Sequence, residues 1–424
     1  MKQISNGIKK AGLLLLCGAL FASLFGCAGQ TGGENSGDTG SKDNGFVFST
    51  ADSETEQTES SGNNSSGTAS KEESEVSQGS TSVGGEQMGG EIAVTAKNTT
   101  FFGRHYEDTR FDTWFFNWTL GGFQITFEGS GIEGYFHVPV GANNPDNHPY
   151  IGIILDGKRQ EDIVVRGDGW VTLAEGLSAG KHTLQVVKLN ESMLNSIGIE
   201  KFRLPSNGKL LAPPELPNRK IEIIGDSITC GYGNIPPYGA PALTSAIEDG
   251  LQTYGSFIKE HFSADVRIES VSGGAVYRDY LGNVSALFSK YKQCDYYDIT
   301  PYDFSEWTPE LVIINLGTND FGQGSTREEF LDGGKRWIDF LREKYGKDTQ
   351  IIWTYGVMNQ QCDGYIEELV EYYHNHGDTK IAYVPLEMIK TDTEGVGSGG
   401  HPTVKTHRRI ADTLIPEIEK IMGW

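Results

Sequence analysis

Positive charge, cysteine and clustered histidine are all scarce in this chain. Only 35 lysines and arginines stand against 57 acidic residues, leaving a net charge of -22 and a pI near 4.8. Such a surface repels a phosphate backbone, which excludes nucleic acid as a partner and leaves a neutral polymer open. Of five cysteines, Cys17 and Cys27 fall in the first residues, so Cys230, Cys294 and Cys362 remain. An odd number at wide spacing excludes a complete disulfide framework and a clustered zinc site. Buried thiols, or at most one bridge, are expected. Histidines and carboxylates form no ligand-spaced cluster, so no metal or other cofactor is expected. At 37% of 424 residues, the apolar fraction is low for a purely globular chain.

The one strongly apolar stretch lies at the N-terminus. Lys2, Lys9 and Lys10 precede the run Ala11 to Phe25, closed by Gly26-Cys27, the layout of an export signal. Within a signal segment 1–27, Leu24-Phe25-Gly26-Cys27 resembles a bacterial lipoprotein processing site, which implies cleavage before Cys27, lipidation of Cys27 as the first mature residue and a protein anchored on the extracellular face of the cell membrane. An uncleaved anchor or an ordinary secretory signal is the alternative. From 28 to 90 the composition turns to Ser, Thr, Gly, Glu, Asp and Asn. It carries too little apolar surface to offset chain entropy, so a disordered acidic tether is expected.

Residues 91–214 read as an all-β domain. Alternation predicts strands over 123–127, 134–138, 150–155, 163–165 and 182–187, with Asp156-Gly157 as a two-residue hairpin turn. Many short strands at this spacing indicate a sandwich or jelly roll. The cluster Trp114, Phe115, Phe116 and Trp118 is read as core rather than a sugar-stacking platform. Leu211-Ala212-Pro213-Pro214-Glu215-Leu216-Pro217 then interrupts both ladder and helix and sets a boundary near 215.

Beyond it, strands alternate with helices expected over 245–261, 326–345, 364–376 and 404–422, the rhythm of an α/β domain with a parallel sheet over 215–424. Three short motifs punctuate this half: Gly225-Asp226-Ser227-Ile228, Gly317-Thr318-Asn319-Asp320 and His401-Pro402. The first two follow the apolar runs 221–224 and 311–316, so both open at the C-terminal edge of the sheet, where open α/β sheets place their sites. A serine hydroxyl needs a base near neutral pH, and histidine supplies one. Ser227 is therefore the candidate nucleophile and His401 the candidate base. Taken alone, Asp-Ser after a strand is also a plain helix N-cap, and His407 competes for the role of base.

Together with Ser272-Gly273-Gly274, these motifs resemble the four blocks of the SGNH (GDSL-like) hydrolases over the whole C-terminal half. Within that superfamily, Gly231-Tyr232-Gly233, the segment Tyr302 to Pro309 and the leading β domain are similar to carbohydrate esterase family two. The resemblance implies a jelly roll joined to a three-layer hydrolase domain, acting on O-acetylated plant polysaccharides such as xylan and glucomannan. It assigns the oxyanion hole to the N–H groups of Ser227 and Gly273 and to the amide of Asn319.

Most SGNH hydrolases carry an aspartate three residues before the histidine, where this chain has Ser398. A Ser-His dyad follows, its imidazole oriented by a loop carbonyl or by Ser398, with Asp392 and Glu394 as alternatives. Tyr232 and Trp307 are the expected substrate contacts, within a wider set of Tyr238, Tyr277, Tyr280 and Tyr302 that loop packing would equally explain. Two other readings stay open. One is an esterase on lipid, thioester or cell-wall glycan; the other is a binding lipoprotein that has lost catalysis.

Overall fold

A computed structural model describes residues 88–239 and 243–424. The expected signal, Cys27 and nearly all of the tether lie outside the described residues. Among the described residues, no helix is long and apolar enough to cross a membrane.

The first half is a sandwich of two antiparallel sheets, one of six strands and one of seven. Every strand expected from alternation is present, as Gly122–Glu128, Ile132–Val140, Tyr150–Leu155, Ile163–Val164 and Lys181–Lys188. The first strand, Met88–Ala93, begins ahead of residue 91 and pairs with Ser196–Pro205. At the hairpin, Leu155 pairs with Lys158 while Asp156 and Gly157 take φ of 49° and 75°, the two positive angles a type I′ turn demands. Phe115, Phe116 and Trp118 are buried, and Trp114 stacks on Phe101 at 5.1 Å. The aromatic cluster is core.

The second half is a five-stranded sheet in the order Asp265–Ser270, Lys220–Gly225, Leu311–Asn315, Gln350–Tyr355, Ile381–Pro385. All its pairings are parallel. Strands buried on both faces need apolar residues at odd and even positions alike. Val312 and Ile314 enter one cluster with Trp337, Trp353 and Leu369; Leu311 and Ile313 enter another with Phe257, Ile410 and Leu414. Helices therefore cover both faces, giving three layers.

Helices Arg327–Tyr345 and Val404–Met422 match expectation, the former opened by a capping box between Thr326 and Glu329. The helix expected over 245–261 is shorter. Two 3-10 turns, Ser245–Ile247 and Gly250–Gln252, come first, and the helix runs Tyr254–Phe262. The cause is local competition for backbone amides. Asp249 accepts from the Leu251 N–H at 3.0 Å and Thr253 from the Ser256 N–H at 3.4 Å.

The sandwich and the α/β half pack as one compact unit. Trp118 belongs to one hydrolase-side cluster; Phe102, Leu120 and Val187 belong to the other. Arg104, from the sandwich, is fully buried and reaches Glu222 at 3.0 Å and Glu269 at 3.1 Å, both inside the parallel sheet. The proline-rich connector is fastened too, since the Pro214 carbonyl accepts from Thr100 at 2.9 Å and Gln124 at 3.1 Å.

Candidate active site

The strand Lys220–Gly225 ends in a four-residue helix, Ser227–Cys230, whose N-cap is Asp226. The Asp226 carboxyl accepts from the Ile228 N–H at 3.0 Å, so Asp226 rather than Ser227 caps this short helix and Ser227 is its first residue. Gly225 permits the sharp strand-to-helix corner: a Cβ there would fall 2.0 Å from Thr229 Oγ1. Burial pushes the Asp226 carboxyl up to about 7, against the hydrogen bonds it accepts.

His401 follows a one-turn 3-10 helix, Ser398–Gly400. Its Nδ1 lies 3.2 Å from the Ser398 carbonyl and 3.1 Å from the Gly399 carbonyl. Two carbonyls can only accept, so Nδ1 carries the proton and Nε2 is left as the acceptor. Ser227 Oγ is 2.8 Å from that Nε2, within the reach a nucleophile and its base require. Burial pushes the imidazole pKa down to about 4, outweighing the two carbonyl bonds that raise it. The ring is thus neutral at pH 7 and able to take a proton.

The other expected orienters point elsewhere. Ser398 Oγ donates to the Pro237 carbonyl at 3.4 Å. Glu394 is taken by Arg409 and, at 2.9 Å, by Thr406, and Asp392 is exposed. His407 is fully buried, and its Nδ1 accepts from the Tyr254 N–H at 3.3 Å.

Asn319 Nδ2 donates to the Gly274 carbonyl at 2.8 Å and lies 3.4 Å from Asp226 Oδ2. Its amide therefore sits between the residue before Ser227 and the residue after Gly273. The long second contact leaves one amide hydrogen weakly engaged. Asp320 accepts from the N–H groups of Val276 at 3.0 Å and Tyr277 at 2.8 Å. The Gly317–Asp320 motif thus carries one donor and also clamps the loop after Gly273. Gly273 adopts φ of +79°, and a Cβ there would meet the Tyr280 ring at 2.0 Å. Behind it, the Ser272 N–H donates to Glu191 of the sandwich at 2.7 Å.

Tyr232 meets the His401 ring edge-on at a centroid distance of 4.4 Å, which places it beside the reacting atoms. Trp307 is a correction. It is 4% exposed, its Nε1 donates to Asp265 at 2.8 Å, and the Arg267 guanidinium covers its ring at 4.3 Å. Asp265 begins the strand whose far end leads to Gly273, so Trp307 lies at the opposite edge of the sheet, roughly 17 Å of strand away. Tyr302 is buried as well, its hydroxyl accepting from Arg267 at 2.7 Å. Cys230, Cys294 and Cys362 are buried free thiols. Among the described residues, no three His, Cys, Asp or Glu side chains are grouped to hold a metal.

Residues 101–214 match the carbohydrate esterase 2 N-terminal family, and residues 221–414 match the GDSL-like lipase/acylhydrolase family. The chain belongs to the family two carbohydrate esterases. It is 30% identical over 315 residues to the cellulase/esterase CelE of Acetivibrio thermocellus, covering 72% of this chain and 38% of that protein. The chain thus spans well under half the length of CelE. An acetylxylan esterase / glucomannan deacetylase of Cellvibrio japonicus is 29% identical over 328 residues, which cover 73% of this chain and 86% of that one. A solved family two carbohydrate esterase from Clostridium thermocellum, in complex with cellohexaose, superposes with a TM-score of 0.71 at 28% identity, covering 77% of this chain and 99% of that one. A sandwich loop, residues 190–192, reaches the hydrolase half beside Gly273. No sequence signal had marked that loop, because a buried glutamate looks like any polar loop residue until its partner is known.

Proposed function

We propose that this chain removes O-acetyl groups from polysaccharide, acetylated xylan or glucomannan, through a Ser227–His401 dyad. The observation that carries the reading is the 2.8 Å contact between Ser227 Oγ and His401 Nε2, with Nδ1 committed to two main-chain carbonyls. Ser227 attacks the acetyl carbonyl as Nε2 takes its proton. Charge then develops on the carbonyl oxygen, which the N–H groups of Ser227 and Gly273 and the Asn319 amide are assigned to receive; one such donor contributes on the order of a hundred- to a thousandfold in rate. Burial disfavours a lone imidazolium, so the cation forms only alongside the oxyanion that compensates it. His401 returns the proton to the departing sugar oxygen, which leaves as a hydroxyl. Water, activated by the same Nε2, then releases acetate from Ser227.

Tyr232 flanks His401 and would face the sugar ring at the cleft. The acetylxylan esterase / glucomannan deacetylase relative and the cellohexaose-bound family two structure support a β-1,4-linked polysaccharide as substrate. The basic residues and apolar run before Cys27 support a lipid-anchored enzyme on the extracellular face of the membrane. The test is acetate release from acetylated xylan and glucomannan, set against hydrolysis of long-chain acyl esters. Acetate release is expected, and a preference for long-chain esters would overturn the substrate reading.

A further inference from the structure

The turn that carries Gly273 is held from behind by the other domain. The Gly274 N–H donates to the Val271 carbonyl at 2.9 Å, and Gly273, third in that turn, takes φ of +79°, as a type II turn requires. The N–H of the second residue takes no part in the closing bond and needs its own partner when buried. That partner is Glu191, whose Oε2 accepts from the Ser272 N–H at 2.7 Å. Glu191 lies in a loop joining the sandwich strands Lys181–Lys188 and Ser196–Pro205.

The main chain around Glu191 is itself tightly fixed. The Glu191 N–H donates to Glu248 Oε2 at 2.9 Å, Lys188 Nζ donates to the carbonyls of Asn190 at 2.7 Å and Glu191 at 3.0 Å, and Asn190 Nδ2 donates to the Ser245 carbonyl at 2.7 Å. Glu191, Glu248 and Lys188 are all buried. The two carboxyl side chains touch, and burial pushes both above the usual carboxylate range. The nearby Lys188 ammonium works against that shift in both carboxyls.

We infer that Glu191 is a positioning residue for the oxyanion site: by holding the Ser272 N–H it sets the rotation of the Val271–Gly274 turn and hence the aim of the Gly273 N–H. This rests on the esterase reading above. A donor displaced from the point where charge develops loses its advantage even though it is still present. A merely structural role for the same cluster would lower stability and leave kcat alone.

Two substitutions separate these cases. Glu191→Gln keeps an acceptor for Ser272 and offers Glu248 a donor, so kcat stays within about threefold of wild type. Glu191→Leu keeps bulk but no acceptor, so kcat falls by about tenfold or more at a KM changed less than about twofold. Affinity for an alkylboronic acid, which forms a tetrahedral adduct on serine, falls by the same factor as kcat/KM. A Leu variant with wild-type kcat, or Gln and Leu variants equally impaired, overturns the inference. Should the Leu variant not fold, amide hydrogen exchange in the wild-type protein decides: a slow Ser272 N–H is expected, and exchange as fast as in exposed loops overturns the inference. Wild-type turnover of 4-nitrophenyl acetate is measured first. Its absence sinks the esterase reading, whereas turnover with an unimpaired Leu variant sinks only the role of Glu191.

Discussion

The Ser398 N–H donates to the Gly233 carbonyl at 3.0 Å, tying the loop that carries His401 to the loop that follows Ser227. The two backbones are in direct contact, since a Cβ on Gly397 would stand 2.3 Å from Gly233 O. Main-chain packing, rather than a carboxylate, therefore sets where His401 stands relative to Ser227.

Replacing Ser227 with Ala is expected to lower kcat by on the order of 10^4-fold or more. Among the described residues the Ser227 side chain bonds to His401 Nε2, so thermal unfolding should stay nearly unchanged. Steady-state kinetics and a melting curve on the same sample check both halves. An active variant removes Ser227 from the site.

Ser398→Ala should cost less than about threefold in kcat, whereas His401→Ala should cost as much as loss of the nucleophile. The imidazole is held by the carbonyl of Ser398, which the substitution keeps. Its hydroxyl makes only a 3.4 Å contact with Pro237. Equal losses in the two variants would contradict orientation by the main chain.

The pH dependence follows from the lowered pKa of His401. Neutral imidazole is the working form, so activity is present above the folded-state value of about 4 and lost as pH falls through it. A pH–rate profile of kcat/KM should show its acid limb well below the ordinary histidine value of about 6.5. Stability follows the same groups. Between about 6.5 and 4 the unfolded chain binds protons that half-buried His401 refuses, so stability falls as pH drops through that window. His407, depressed to about 3 by burial, acts in the same direction. An acid limb at 6.5 would show an imidazole more open to water than the structure has it.

Trp307→Phe should leave KM for acetylated oligosaccharide unchanged and lower stability by about 1–3 kcal/mol, the range for stranding a buried partner. The substitution removes the 2.8 Å bond to Asp265 and weakens the stack under Arg267. Denaturant melts and oligosaccharide kinetics check the two halves, and a raised KM would return Trp307 to the cleft.

The error over Trp307 is instructive. The segment from Tyr302 to Pro309 precedes the strand Leu311–Asn315, and whatever precedes a parallel strand lies at its N-terminal edge. The site lies at the other edge, where Gly225 and Asn315 pair at the C-terminal ends of their strands. Proximity in sequence to a motif-bearing strand carried no information about which edge a side chain occupies. The shortened helix before Phe262 has a similar origin. Periodicity over 245–261 was real, but Asp249 and Thr253 compete for backbone donors, and Asn190 draws on the Ser245 carbonyl from another domain.

Local chemistry was legible because it is written in neighbouring residues. Alternation marked the sandwich strands, apolar runs marked the parallel ones, and glycines near Ser227 and Asn319 marked strand-end loops. Those patterns act within a few residues, where backbone sterics and burial period decide the outcome. Three matters were decided by the tertiary structure: that His401, the histidine favoured from the sequence, faces Ser227, what orients it, and that a sandwich glutamate holds the Ser272 N–H. Each depends on contacts between segments far apart in the chain, 174 residues for the dyad and 81 for Glu191 with Ser272. Such contacts are set by how two domains pack, and a single sequence records the residues that meet without recording that they do.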